Sequence, residues 1–182
     1  DVLKLKPNIV FIYIGINDVW HKYDWGTGSD IDTYEKGLRK IITDIKAVGA
    51  KIILCTPTVI GENNGEFKLN NNFKDIDTME IMNKDLDAFS DVVRNLSSEF
   101  NTDLLDLRKK FKEYISENND QNMPKGVLTS DGVHLNNEGN KVIADEMIKF
   151  LNWIYYSFEE DVWSEIMYHW FLTFIQFKVK YP

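Results

Sequence analysis

The sequence predicts an α/β protein of three layers, α/β/α, around a parallel sheet. Two observations carry the prediction. Three short apolar runs, at residues 8–15, 51–58 and 102–107, alternate with stretches whose apolar residues recur at three- and four-residue steps. That rhythm gives parallel strands joined by right-handed helical crossovers. The first run is also continuously apolar instead of alternating, the pattern of a strand covered on both faces.

The elements follow in order. NIVFIYIG, residues 8–15, follows Pro7, is rich in β-branched and aromatic residues, and reads as an inner strand. A polar loop is expected from Trp20 to Asp30. Ile31, Tyr34, Leu38, Ile41, Ile42, Ile45 and Val48 then mark an amphipathic helix closed by Gly49. KIILCTPT, residues 51–58, is the second strand. Residues 61–72, rich in Asn and Gly and without periodicity, read as a long surface loop of the kind that borders binding sites. Met79, Met82, Leu86, Phe89, Val93, Leu96 and Phe100 mark a second helix, and TDLLDL, residues 102–107, a third strand. A short helix over 109–117, a polar loop to Asn136 and a last helix carrying Val142, Ile143, Met147, Phe150 and Leu151 complete the pattern.

Residues 153–182 depart from it. They hold 11 of the 24 aromatic residues of the chain, which divides the sequence into a domain over 1–152 and an aromatic tail over 153–182. The apolar stretch 166–177 is too short to span a bilayer, which takes roughly 20 residues. The tail is expected to pack on the domain or, in self-association, on a second copy, with poor order and interfacial membrane contact as the other readings.

Composition bounds the function. The 182 residues are 43% hydrophobic and 27% charged, ordinary for a globular protein. With 21 Lys and Arg against 29 Asp and Glu, the net charge is −8, and the basic residues are scattered among carboxylates. Counterion release needs clustered cations, so nucleic acid and anionic membranes are not expected partners. The single cysteine, Cys55, excludes an internal disulfide and a Cys-built zinc site, and leaves the compartment open. The chain begins at Asp1 and enters a strand within a few residues, so a preceding segment is expected.

Ligands in such sheets lie beyond the carboxyl ends of the strands, which directs attention to the loops there. Gly15-Ile16-Asn17-Asp18 follows the first strand and presents Asn17 at the sheet edge, either as an amide donor into a pocket or as a simple turn cap. Ser130-Asp131-Gly132-Val133-His134-Leu135-Asn136 precedes the last helix. An Asp and a His three apart on a tight loop can set a carboxylate against one ring nitrogen and leave the other outward, as a general base requires. The competing reading is a polar turn before an N-cap at Asn136, with an incidental histidine. No further His or Cys stands at ligand spacing, so no metal site is expected.

Together the two motifs are more specific than either alone. G-x-N-D after an inner strand and D-x-x-H-x-N before the final helix resemble the third and fifth conserved blocks of the SGNH/GDSL hydrolase superfamily. KPNIVFIYIGINDVW and GVLTSDGVHLNNEGNKVIADEM are similar to the corresponding segments along their whole length, and the resemblance covers residues 1–152. It implies a serine ester hydrolase of the esterase or lipase type that acts on a small-molecule ester without metal or cofactor. It implies an oxyanion-hole amide from Asn17, a general base in His134 and its orienting carboxylate in Asp131, with Gly15 and Asp18 supporting the loop. An oxyanion donor is worth roughly 3–4 kcal/mol of transition-state stabilisation. Trp20, Tyr23 and Trp25 are expected at the mouth of the pocket, where an acyl chain or sugar ring can pack.

The sequence also departs from the family. The nucleophile is expected in a G-D-S motif at the end of a first strand, and a glycine block after the second should complete the oxyanion hole; these 182 residues contain neither. Gly28-Ser29-Asp30 has the residues in another order, and Ser29 reads as a helix cap. The family's sheet has five strands in the order 2-1-3-4-5, of which this chain supplies the last three. That leaves residues 8–14 with an open edge: either the first two strands are lost from this chain, or something substitutes for them, and the strand-like residues 171–181 are one candidate. His21 reads as a solvated loop residue, His169 as a packed residue of the tail, Cys55 as inert core, and Asn95-Leu96-Ser97 as a chance glycosylation sequon inside a helix. Two functional readings result: an ester hydrolase whose nucleophile lies outside this chain, and a non-catalytic binding or assembly module on the same scaffold. A nucleotide-binding domain is disfavoured, since no glycine-rich phosphate loop follows any strand.

Overall fold

The computed structural model describes residues 2–62 and 79–157. Within them a short 3-10 turn, Val2–Leu5, leads into β1 (Ile9–Tyr13), α1 (Ile16–Asp24), α2 (Ile31–Ala47), β2 (Lys51–Cys55), α3 (Met79–Phe100), β3 (Asp103–Leu105), α4 (Leu107–Asn118) and α5 (Asn137–Ser157). The strands form one parallel sheet in the order β1-β2-β3. Ile9 lies opposite Lys51 through to Tyr13 opposite Cys55, and Ile53 opposite Asp103 through to Cys55 opposite Leu105. The sequence-derived α/β class is therefore the observed one.

The core explains the arrangement. Ile52 and Leu54 of β2 and Ile12 of β1 share one face of the sheet. They pack with Tyr34, Leu38, Ile42 and Ile45 of α2 and with Met82, Leu86, Phe89, Val93 and Leu96 of α3. Ile53 and Cys55 alternate to the opposite face and are equally buried, so β2 is covered on both sides. Burial pushes the Cys55 thiol up to about 12, which leaves it inert.

The first strand differs from its composition. Among the described residues β1 is an edge strand paired with β2 alone, and only Ile12 of its five residues is fully buried. Its apolar side chains are half-exposed because no described element covers the second edge.

Four boundaries move. The first part of the expected loop Trp20–Asp30, through Asp24, is helix, because Ile16, Val19, Trp20 and Tyr23 recur at helical steps and pack on the core. The cap of α2 is Asp30 and not Ser29: the Asp30 carboxylate accepts from the Thr33 N–H at 2.7 Å. Strand β2 stops at Cys55, before Pro57. The third strand shrinks to three residues because Asp106 caps α4, accepting from the Lys109 N–H, so that the helix begins at Leu107.

The chain divides into two compact units between Ala144 and Asp145, inside α5. In the second, the described residues are the end of α5, where Phe150 and Trp153 pack ring to ring at 5.8 Å and Lys149 pairs with Glu146. Residues 63–72 of the expected loop, His169 and the strand-like stretch 171–181 lie outside the described residues. No helix among the described residues is long and apolar enough to cross a membrane.

Candidate active site

The site is built at the carboxyl end of the sheet, where the chain leaves β1. Gly15 turns the backbone at a φ of 123°, a conformation that favours glycine, and a β-carbon there would meet the Tyr34 hydroxyl at 3.0 Å. That hydroxyl donates to the Ile14 carbonyl at 3.2 Å, and burial raises the phenol well above its ordinary range. The turn launches α1, whose first intrahelical bond runs from the Val19 N–H to the Gly15 carbonyl. Asn17 and Asp18 therefore occupy the first helical turn, where N–H groups lack intrahelical acceptors and the helix dipole favours negative charge. Asn17 is exposed.

The second half of the site is the loop from Pro124 to Asn136. Thr129 and Leu135 form an antiparallel bridge, and the Ser130 N–H donates to the His134 carbonyl at 2.8 Å, closing a tight turn. Inside the turn one carboxylate does two jobs. Oδ1 of Asp131 accepts from the Val133 N–H at 2.9 Å and the His134 N–H at 2.7 Å, while Oδ2 takes Nδ1 of His134 at 2.7 Å. A carboxylate only accepts, so Nδ1 carries the proton and Nε2 is left as the basic nitrogen. Burial alone would raise the Asp131 carboxyl, but the His134 ring and the two backbone donors outweigh it and hold the group below its usual value.

Asn136 holds the turn from behind. Its side-chain oxygen caps α5 by accepting from the Gly139 N–H at 2.9 Å, its N–H2 donates to the Gly126 and Val127 carbonyls at 3.2 Å, and its backbone N–H donates to the Leu128 carbonyl. The expected cap and the expected Asp–His pair are thus both present, in one loop.

Aromatic rings connect the halves. The Trp20 ring lies 5.3 Å from that of His134 and perpendicular to it. Trp25 lies 5.0 Å from Trp20 and 4.3 Å from His21, so the rings form a continuous group. Asn17 and Trp20 are one helical turn apart, so Asn17 lies on the side of α1 whose Trp20 meets the His134 ring. Trp25 is half-exposed at the outer end of the group. The Trp20 indole nitrogen is buried without an acceptor among the described residues. Tyr23 turns inward, its hydroxyl donating to Asp85 at 2.8 Å beside Lys22. Among the described residues no group of three His, Cys, Asp or Glu side chains gathers as a metal site.

Two buried charges near the site have no signature in the sequence. Arg108 is 1% exposed and donates to the Thr58 carbonyl, to the Asn83 carbonyl and to Asp87, fixing the chain after β2. Glu62, 3% exposed, ends that same stretch. Only their partners identify them, and those partners are distant in sequence.

The close fit of the loop makes a stability prediction. A β-carbon on Gly139 would lie 2.1 Å from the Leu128 carbonyl oxygen, a backbone atom that cannot rotate aside. Gly139→Ala is expected to destabilise the intact protein by about 1–3 kcal/mol in urea unfolding.

The profile of the GDSL-like lipase/acylhydrolase family matches residues 1–142. An acetylxylan esterase from Geobacillus stearothermophilus is 29% identical over 153 residues, covering 82% of this chain and 61% of that protein. A GDSL esterase/lipase from Arabidopsis thaliana is 25% identical over 151 residues, covering 80% of this chain and 54% of its own length. The chain thus spans less than two thirds of these relatives. Among solved structures, the acetyl xylan esterase AlAXEase superposes with a TM-score of 0.69 at 39% identity, over 82% of this chain and 69% of that one. The Geobacillus esterase superposes with a TM-score of 0.64 at 29% identity, over 82% of this chain and 61% of its own. Structures of its catalytic mutants replace a serine, an aspartate and a histidine, the last two three positions apart, as Asp131 and His134 are here. With the profile matched along most of its length, this chain belongs to the GDSL-like lipase/acylhydrolase family of ester hydrolases.

Proposed function

We propose that this chain carries the base and an oxyanion donor of a serine hydrolase that removes acetyl groups from a carbohydrate. The observation that supports it most is the orientation of His134: Nδ1 is held by Asp131, Nε2 has no hydrogen-bond partner among the described residues, and the ring packs edge-on against Trp20 of α1. The attacking serine belongs to a G-D-S segment that is not among these 182 residues. Its Oγ adds to the ester carbonyl while Nε2 of His134 takes the proton. Asp131 stabilises the imidazolium that forms, and the Asn17 amide donates to the tetrahedral oxyanion. The imidazolium returns its proton to the departing sugar oxygen. Water then repeats the sequence on the acyl-enzyme and releases acetate.

The substrate class rests on two supports. The relatives of highest similarity reported above are acetylxylan esterases, and Trp25 offers a half-exposed indole face one ring away from Trp20 and His134. A flat aromatic face suits a sugar ring.

Acetate release from acetylated xylo-oligosaccharides tests the reading in the intact protein, against a long-chain p-nitrophenyl ester as comparison. Efficient turnover of the acetylated sugar is expected; preference for the long acyl chain would refute the substrate class, and turnover of neither would favour a non-catalytic module. Trp25→Ala is expected to raise KM for the sugar about tenfold, equivalent to ~1.4 kcal/mol of lost binding, with kcat little changed.

A further inference from the structure

We infer that Glu62 is a positioning residue for the Asp131–His134 pair. The inference rests on the reading of His134 as the general base, and it goes beyond it by assigning a residue outside the turn that holds the turn in place.

Glu62 lies in the chain segment that leaves β2, and its carboxylate is buried without a cation partner among the described residues. Four donors compensate it instead. The Val127 N–H donates to Oε2 at 2.7 Å, and the Leu128 N–H, the Thr129 N–H and the Thr129 hydroxyl all donate to Oε1. Three successive backbone N–H groups aimed at one carboxylate make an anion nest, and here the anion belongs to the protein itself. The backbone on either side is tied as well: the Gly61 N–H donates to the Gly132 carbonyl at 2.6 Å, and the Glu62 N–H to the Pro124 carbonyl at 3.0 Å.

The location gives these bonds their consequence. Thr129 is two residues before Asp131, and it is the residue that bridges to Leu135, immediately after His134. Glu62 thus fixes one strand of the small loop whose tip holds the pair. The pair itself is exposed, with side chains 50% and 64% accessible for Asp131 and His134, so beyond the Trp20 ring and the bonds within the turn its geometry depends on how the loop beneath it is held. The rigidity has to come from the base of the loop, and the base is gathered on Glu62. Neither Asn136, which holds the carbonyls of the same segment, nor the bridge supplies acceptors for the 127–129 N–H groups.

Only a carboxylate satisfies this arrangement. A glutamine has one acceptor oxygen, and its amide would set N–H2 against the N–H of Val127 or Leu128. Displacement of a catalytic group by about 1 Å can cost up to about a hundredfold in rate. In the intact protein, Glu62→Gln is therefore expected to lower kcat by about tenfold or more with KM within about twofold, and to broaden or remove the downfield proton resonance of His134 Nδ1. Thr129→Val, which deletes one donor and keeps the shape, is expected to act in the same direction by about threefold. Leu96→Ala, in the core on α3, serves as a comparison that lowers stability without touching the loop, and is expected to leave both kcat and the resonance in place.

The outcomes separate the two levels. A folded Glu62→Gln with normal kcat and an unchanged Nδ1 resonance would reduce Glu62 to a loop anchor and overturn the inference. Should that variant fail to fold, an unaltered kcat in Thr129→Val overturns it instead. Retention of activity by His134→Ala would strike the underlying reading, whatever Glu62 does.

Discussion

Replacing His134 by alanine in the intact protein is expected to reduce kcat/KM for an aryl acetate by about 10⁴-fold or more, with the thermal unfolding midpoint nearly unchanged. His134 is exposed, and its side chain packs on Trp20 at the protein surface, so its loss leaves no large cavity. The expected loss is chemical: without Nε2 nothing takes the serine proton during attack. Asp131→Asn should fall close behind for a different reason. The amide oxygen can keep the Val133 and His134 N–H groups, but the N–H2 then faces Nδ1 and drives the ring proton onto Nε2. The base is then in the wrong tautomer while the turn survives. Near-normal turnover by His134→Ala would end the assignment of this residue as the base.

The same carboxylate gives a pH dependence of known sign. Asp131 titrates lower in the folded protein than its ordinary value, despite the opposing effect of burial. Its stabilising contribution is therefore fully present above the unfolded carboxyl value and is lost as pH falls through the lower, folded one. Asp131→Asn should flatten that part of the acid-stability profile, read by thermal unfolding below pH 4.

How far the sequence disclosed this structure depended on whether the signal was local. Helices α2 and α3 were legible because their apolar residues repeat over four turns or more. The Asp131–His134 pair was legible because its hydrogen bonds close within three residues. Helix α1 was hidden because its four core-facing residues, Ile16, Val19, Trp20 and Tyr23, are interleaved with Asn, Asp, His and Lys over little more than two turns. Ser29 and Asp30 are both residue types that cap helices, and only the backbone decides that Asp30 stands at the start of α2. Glu62 and Arg108 had no legible signal at all. Each looks like an ordinary surface charge until the chain brings residues 127–129 to one and Thr58, Asn83 and Asp87 to the other. Long-range compensation of a buried charge has no period and no motif.

Asn17→Ala is expected to lower kcat by about 10²–10³ while KM stays within a few-fold, the effect of removing one oxyanion donor. Asn17 precedes Trp20 by three residues, about 4.5 Å along the helix axis, and the Trp20 ring is in contact with His134. In the proposed mechanism the carbonyl attacked beside Nε2 turns its oxygen toward the start of α1, where the Asn17 amide and the positive end of the helix dipole would act together. Asn17→Asp separates these contributions from simple steric loss. It preserves the volume, yet sets a carboxylate against the developing oxyanion, and it should fall below the alanine variant in kcat. Gly15→Ala should imitate the alanine variant from a distance, because a β-carbon at a φ of 123° meets the Tyr34 hydroxyl and the whole first turn has to shift. A rise in KM with kcat intact in Asn17→Ala would instead mean that the amide binds the ground-state ester, and the oxyanion role would pass to the backbone N–H groups of the same helical turn.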